Sequence, residues 1–130
     1  MKGIEIKAII YGTSEYERSI DLRNEVFRKP WGLNIRDEDL TNDQYMEMFG
    51  AYKDDKIIAT IFLTEDDKEH ARIKSVAILD EYRGKGLGSY LMDYAENIAK
   101  DRGYKKGNLM GRVSAEVFYN KIGYKTLSQP

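Results

Sequence analysis

Three glycines alternate in Arg83-Gly84-Lys85-Gly86-Leu87-Gly88-Ser89, where an apolar run ending at Leu79 gives way to a helical pattern. That arrangement suits phosphate binding. Without side chains, Gly84, Gly86 and Gly88 let several backbone N–H groups turn toward one point and let a ligand approach closely. A helix beginning here adds its unpaired first-turn donors and roughly half a positive charge. Arg83 and Lys85 set full charges beside it, which makes the stretch a pyrophosphate cradle. Two other phosphate patterns fail on single residues. A P-loop needs Ser or Thr after its lysine, but Lys85 is followed by Gly86. The dinucleotide fingerprint wants glycine where Ser89 stands and an acidic residue ~20 positions on, where Lys106, Gly107 and Asn108 are found. The alternative reading is a glycine-rich strand-to-helix connection that holds no ligand.

Composition narrows the chemistry further. There is no cysteine, so disulfides, thiol nucleophiles and thiolate metal sites are excluded. His70 is the sole histidine, and neither a conventional zinc site nor a histidine relay is expected. A net charge of −1 gives no global attraction to nucleic acid or to an anionic membrane, so neither is expected as a partner. Any grip on a phosphate-rich ligand must be local. No apolar run approaches the ~18–20 residues of a membrane span. Met1 to Lys7 alternates apolar and charged residues instead of forming a signal-peptide block, so a cytoplasmic location is expected. At 130 residues the chain is expected to form a single domain over 1–130.

The elements that must position the cradle can be read from periodicity. Ile4 to Tyr11 reads as a strand, and Thr13 or Ser14 can cap a helix running to about Arg28, where Lys29-Pro30-Trp31-Gly32 stops it. A second short helix is expected around Asp37-Glu38-Asp39 and beyond. Met48–Lys53 and Ile57–Thr64 read as strands joined by Asp54-Asp55, the second apolar enough to be buried on both faces. A fourth strand is expected over about Ala71–Leu79, then a helix from about Leu87 to Arg102 with an apolar stripe at Leu87, Leu91, Tyr94, Ala95 and Ile98. Lys106–Met110 reads as a strand, Ser114–Ile122 as a helix and Gly123–Leu127 as a short last strand. The sum is a mixed α/β (α+β) domain, an antiparallel meander leading into a strand–helix–strand unit whose crossover should be right-handed.

At its glycine turn the chain resembles the GNAT superfamily, the GCN5-related N-acetyltransferases. Their signature Arg/Gln-x-x-Gly-x-Gly/Ala is matched by Arg83, Gly86 and Gly88. A second segment, Ala115-Glu116-Val117-Phe118-Tyr119-Asn120-Lys121-Ile122-Gly123-Tyr124, resembles the family's Ala-x-x-Phe-Tyr-x-Lys-x-Gly-Phe/Tyr. The region around Leu22 to Leu33 resembles small bacterial members. The resemblance implies a GNAT-like fold: a central, mostly antiparallel sheet, a splayed parallel strand pair and flanking helices. It implies acetyl-CoA as cosubstrate and no metal. Acetyl-CoA would lie between the fourth and fifth strands, its pantetheine arm along Val76, Ala77 and Ile78 and its pyrophosphate against the amides of Arg83, Gly84, Lys85, Gly86, Gly88 and Ser89.

The implied activity is transfer of the acetyl group to a small amine or amino-acid-like acceptor, by direct attack in a ternary complex. The alternative is a domain of the same fold that binds acyl-CoA as a sensor without turnover. Tyr119 is the candidate acid: its pKa near ~10 exceeds the ~8.5 of a simple thiol, so giving a proton to the departing thiolate is downhill. It also reads as a core tyrosine, one of ten. The backbone N–H of Ile78 is the candidate for polarising the thioester carbonyl. The sequence does not single out the base: Glu25, Glu47, Glu69 and His70 are open choices, and each reads more readily as a solvated surface group. Arg23, Phe27, Arg28 and Trp31 are candidates for lining the acceptor pocket, and Phe27 and Trp31 read equally as plain core. Arg112 stands where the family often has Asn, and it either orients the last helix or binds an acidic acceptor. Lys121 reads as a solvated helix charge or as a contact to the cofactor's adenosine phosphates. The sequence ends at Pro130, six residues past Tyr124, before a further strand that most members carry. Either a partner subunit supplies that strand, as in a homodimer, or the acceptor site is unusually open.

Overall fold

The computed structural model describes residues 1–65, 67–104, 106–109 and 125–126, the last two stretches by their backbone. Along the chain come β1 (Glu5–Ile9), α1 (Ser14–Phe27), 3-10 turns at Lys29–Trp31, Ile35–Asp37 and Thr41–Tyr45, and β2 (Glu47–Lys53). They are followed by β3 (Lys56–Glu65), β4 (His70–Ile78), a 3-10 turn at Asp80–Tyr82, α2 (Leu87–Asp101), β5 (Lys106–Leu109) and β6 (Lys125–Thr126). The strands make one sheet in sequence order. β1 to β4 pair antiparallel, β5 runs parallel to β4, and β6 runs parallel to β5. This is the expected mixed α/β architecture.

Local chemistry sets the element ends. The Thr13 hydroxyl accepts the Tyr16 N–H and caps α1, and Glu15 and Glu17 sit favourably in its first turn. Pro30 lies in the turn that ends the helix, and Gly32 takes a left-handed φ of +71° to leave it. Asp54 and Asp55, with φ of +51° and +65°, form the two-residue turn between β2 and β3. One expectation needs correction. The single helix foreseen from Asp37 onward is instead two 3-10 turns separated by residues 38–40. Side chains divert the backbone there: Asn34 Oδ1 accepts the Arg36 N–H, and Asp39 Oδ1 accepts both the N–H and the hydroxyl of Thr41. The helix foreseen over Ser114–Ile122 lies outside the described residues.

β3 is the central strand, and alternation divides its side chains between two cores. Ala59, Ile61 and Leu63 pack with Leu87, Leu91, Met92 and Ala95 of α2. Phe62 packs with Tyr16, Ile20 and Leu22 of α1. Phe62, Leu91 and Met92 are fully buried, each worth about 1.5–3 kcal/mol of transfer free energy. Gly50 lets the α1 side close up, because a Cβ there would meet Tyr52, Ile57 and Ile9 side chains at 3.0–3.1 Å.

The long connection from α1 to β2 is held by polar side chains. Asn24 Oδ1 accepts the Ile35 N–H at 2.8 Å. Asp43 Oδ2 accepts hydrogen bonds from the Tyr16 hydroxyl and from Arg23 Nη1, each at 2.9 Å, with all three residues buried. Burial, and then the bond to Asp43, push the Tyr16 phenol well above its ordinary range. Arg28 forks onto Glu38, with Nη2 at 2.9 Å from Oε1.

Candidate functional site

The second half of β4 departs from a regular strand. β3 pairs Thr60 with Ala77 but Phe62 with Lys74, so Ser75 and Val76 together oppose Ile61 in a β-bulge. Ser75 has φ +53°, a left-handed conformation that serine rarely adopts. The Thr60 hydroxyl donates to its carbonyl at 2.8 Å. Past the bulge the Leu79 N–H donates to the Ile58 carbonyl at 3.1 Å. Strand alternation then turns Ala77 toward β3, while Val76 and Ile78 present their amides on the opposite side. On that side β5 pairs with β4 from His70↔Lys106 to Ile73↔Leu109. Among the described residues no strand pairs there beyond Ile73. Among the described residues the outward main-chain groups of Val76 and Ile78 therefore face no partner strand, an arrangement suited to an extended ligand that carries amides.

The glycine turn follows directly. Asp80–Tyr82 makes one 3-10 turn, Arg83 is extended, and Gly84 and Gly86 take φ of +73° and +85°. Among the described residues, a Cβ added at either glycine would meet nothing within 4 Å, so these residues leave the space over the turn clear. Gly86 is the N-cap of α2 and brings no capping side chain. The first intrahelical bond is from the Tyr90 N–H to the Gly86 carbonyl. The amides of Leu87, Gly88 and Ser89 therefore have no acceptor within the helix, as an anion site at a helix head requires. The exposed Arg83 side chain lies with its Nε 3.3 Å from Asp80. Lys85 Nζ lies 5.9 Å from the centre of the Tyr82 ring, and Lys53 Nζ, from the end of β2, lies 5.8 Å from it. Lys53 is a cation that reading along the chain did not bring to this turn.

A cavity of about 790 Å³ opens between the end of α1 and this turn. Glu25, Val26, Lys29 and Pro30 line one wall, and Leu79 and Arg83 belong to the other. Arg83 thus borders both the cavity and the head of α2. Within the cavity wall Glu25 pairs with Lys29 at 3.3 Å.

Val76, Ala77, Ile78, Arg83, Gly84, Lys85, Gly86, Gly88 and Ser89 come together as one continuous rim, with the Ala77 side chain turned into the α1 core. The residues foreseen for an acceptor pocket do not line this cavity. Arg23 is only 5% exposed, bound to Asp43 with its guanidinium 4.7 Å from the centre of the Phe62 ring. Phe27 packs, half-buried, against the α1 core, and Arg28 is engaged by Glu38. Trp31 is 68% exposed and lies off the cavity wall. Their neighbours on α1 and the turn after it form the wall instead. Arg112, Tyr119 and Lys121 lie outside the described residues. Among the candidate bases, Glu47 pairs with Arg102 at 2.6 Å and His70 Nδ1 meets Asp67 at 2.7 Å, while Glu25 faces the cavity. Among the described residues, no group of three His, Cys, Asp or Glu is placed to hold a metal ion, and no helix is long and apolar enough to cross a membrane.

Known proteins share this architecture. The family model described as acetyltransferase (GNAT) matches residues 15–124. A Bacillus subtilis (strain 168) protein provisionally named an acetyltransferase is 30% identical over 125 residues, 90% of this chain and 82% of its own length. A crystal structure from Lactobacillus plantarum, provisionally named an N-acetyltransferase, superposes with a TM-score of 0.83 at 26% identity, over 99% of this chain and 89% of the other. The fold is also that of a GNAT family acetyltransferase from Elizabethkingia anophelis with acetyl-CoA bound, with a TM-score of 0.72 at 24% identity, over 96% of this chain and 78% of that one.

Proposed function

The chain belongs to the acetyltransferase (GNAT) family and is an acyltransferase, and from that premise we propose that it moves the acetyl group of acetyl-CoA onto the nitrogen of a small amine or amino-acid-like acceptor. One observation carries the proposal: the end of β4, whose outward amides meet no strand among the described residues, runs straight into a glycine turn at the head of α2, flanked by Arg83 and Lys85. The two halves match the two halves of the ligand. The unpaired amides at the head of α2, with Arg83, Lys85 and Lys53 nearby, suit a diphosphate. The outward groups of Val76 and Ile78 suit the amides of a pantetheine arm.

In this account the Ile78 N–H polarises the thioester carbonyl, where negative charge builds as the acceptor nitrogen attacks. Glu25, the one of the four candidate bases on the cavity wall, takes the proton that an alkylamine must lose, directly or through water. Tyr119, by the family resemblance, returns a proton to the thiolate sulfur as the C–S bond breaks. The acceptor enters by the cavity between α1 and the turn after β4, and Lys121 meets the adenosine end of the cosubstrate.

Thiol release from acetyl-CoA across a panel of small amines tests the reading. Turnover with at least one amine is expected. Tyr119→Phe should lower kcat by about 10²-fold or more and leave coenzyme A affinity intact, as loss of a positioned acid does. Tight coenzyme A binding with no amine-dependent release anywhere in the panel would replace the transferase by a sensor.

A further inference from the structure

We propose that Thr60 is a positioning residue for acyl transfer: by holding the Ser75 carbonyl it fixes the bulge that aims the Val76 and Ile78 amides away from β3. The proposal rests on the transferase reading above.

The described residues hold three non-glycine positions with positive φ. Asp54 and Asp55 form the hairpin turn, where such angles are what a two-residue connection demands. Ser75 sits in mid-strand, where nothing about chain reversal asks for one. A strained conformation persists only where its surroundings over-determine it. Here the surroundings supply a matching bond. Thr60 is fully buried at the centre of β3, and its hydroxyl would be an unsatisfied donor without the Ser75 carbonyl 2.8 Å away. The extra residue frees that carbonyl from regular pairing, and the threonine receives it.

The bulge decides which amides are free. Because strand side chains and amides alternate with a period of two, one inserted residue reverses every position after it. With the bulge in place, Ala77 faces β3 and buries its side chain against α1, and the Ile78 N–H points away from β3. Without it, Val76 would pair with Thr60, and the Ile78 amide would turn into the β3 ladder. A hydroxyl on the neighbouring strand therefore governs where the thioester-polarising donor points, although it touches neither substrate.

Two substitutions separate positioning from mere stability. Thr60→Val keeps the shape and removes the hydroxyl, while Thr60→Ser keeps the hydroxyl. The assay is thiol release from acetyl-CoA with the amine that wild type uses fastest in the panel. Thr60→Val is expected to lose on the order of 10–10²-fold in kcat, the scale of a misaimed catalytic group. Its calorimetric Kd for coenzyme A should rise by much less than kcat falls, because the diphosphate grip lies beyond the bulge and only the pantetheine contacts are disturbed. Thr60→Ser should restore most of the lost rate. If Thr60→Val does not fold, Thr60→Ala takes its place under the same criterion. A Thr60→Val protein that melts earlier yet turns over like wild type would overturn the role and leave only a structural one. A wild type inactive with every amine overturns the transferase reading and this role with it.

Discussion

Gly86 shows how one residue type joins backbone to binding. Its φ of +85° is the conformation in which a Cβ costs about 1–2 kcal/mol, and the space a Cβ would enter is open. That space is where a diphosphate would approach. Gly86→Ala should therefore cost about 1 kcal/mol in stability and weaken coenzyme A binding about tenfold, read by thermal melts and calorimetry. Unchanged affinity would mean that the turn does not touch the ligand. This part of the site was legible in the sequence because Gly84, Gly86 and Gly88 act locally: their demand on φ needs no partner strand. Ser75 was not legible, since serine carries no mark of a positive φ and a bulge exists only once β3 and β4 are paired. The burial of Arg23 was not legible either. Its charge suggests an acceptor pocket, and the Asp43 that buries it stands 20 residues away.

Elements depend on partners of this distant kind. The Tyr16–Asp43–Arg23 cluster fastens the connection carrying Thr41–Tyr45 to α1, whose far end forms one wall of the cavity. Asp43→Ala would strand a buried guanidinium and should cost about 3–5 kcal/mol in urea unfolding. The same cluster predicts an alkaline limit. Burial raises the Tyr16 pKa above that of the unfolded chain, so its contribution is whole below about pH 10 and drains away as pH rises beyond it. Tyr52, raised chiefly by burial, adds to the same trend. Tyr16→Phe should flatten part of that decline in a series of unfolding curves between pH 8 and 11, and an unchanged slope would contradict it. The strands and the two long helices of the described residues could be read from periodicity and, at Thr13, from a cap. The stretch 35–45 could not, because Asn34 and Asp39 bond the backbone into short turns instead of a helix.

At the scale of the molecule, a net charge of −1 means that affinity for a polyanion must come from one place. The candidate place is where β4, bulged at Ser75, feeds the chain into the head of α2. Helices α1 and α2 pack on opposite faces of β3, so the end of β4 and the glycine turn are held between two cores. The central claim is that this frame grips coenzyme A through its diphosphate and steadies the acyl arm along β4. The most direct test is a pair of calorimetric titrations of the wild-type protein, one with coenzyme A and one with pantetheine, which shares the arm but lacks the diphosphate. The account predicts micromolar binding of coenzyme A and binding of pantetheine weaker by about 10²-fold or more, the loss of several charge-assisted bonds. No heat with coenzyme A at millimolar concentration, or equal affinity for the two, would contradict it.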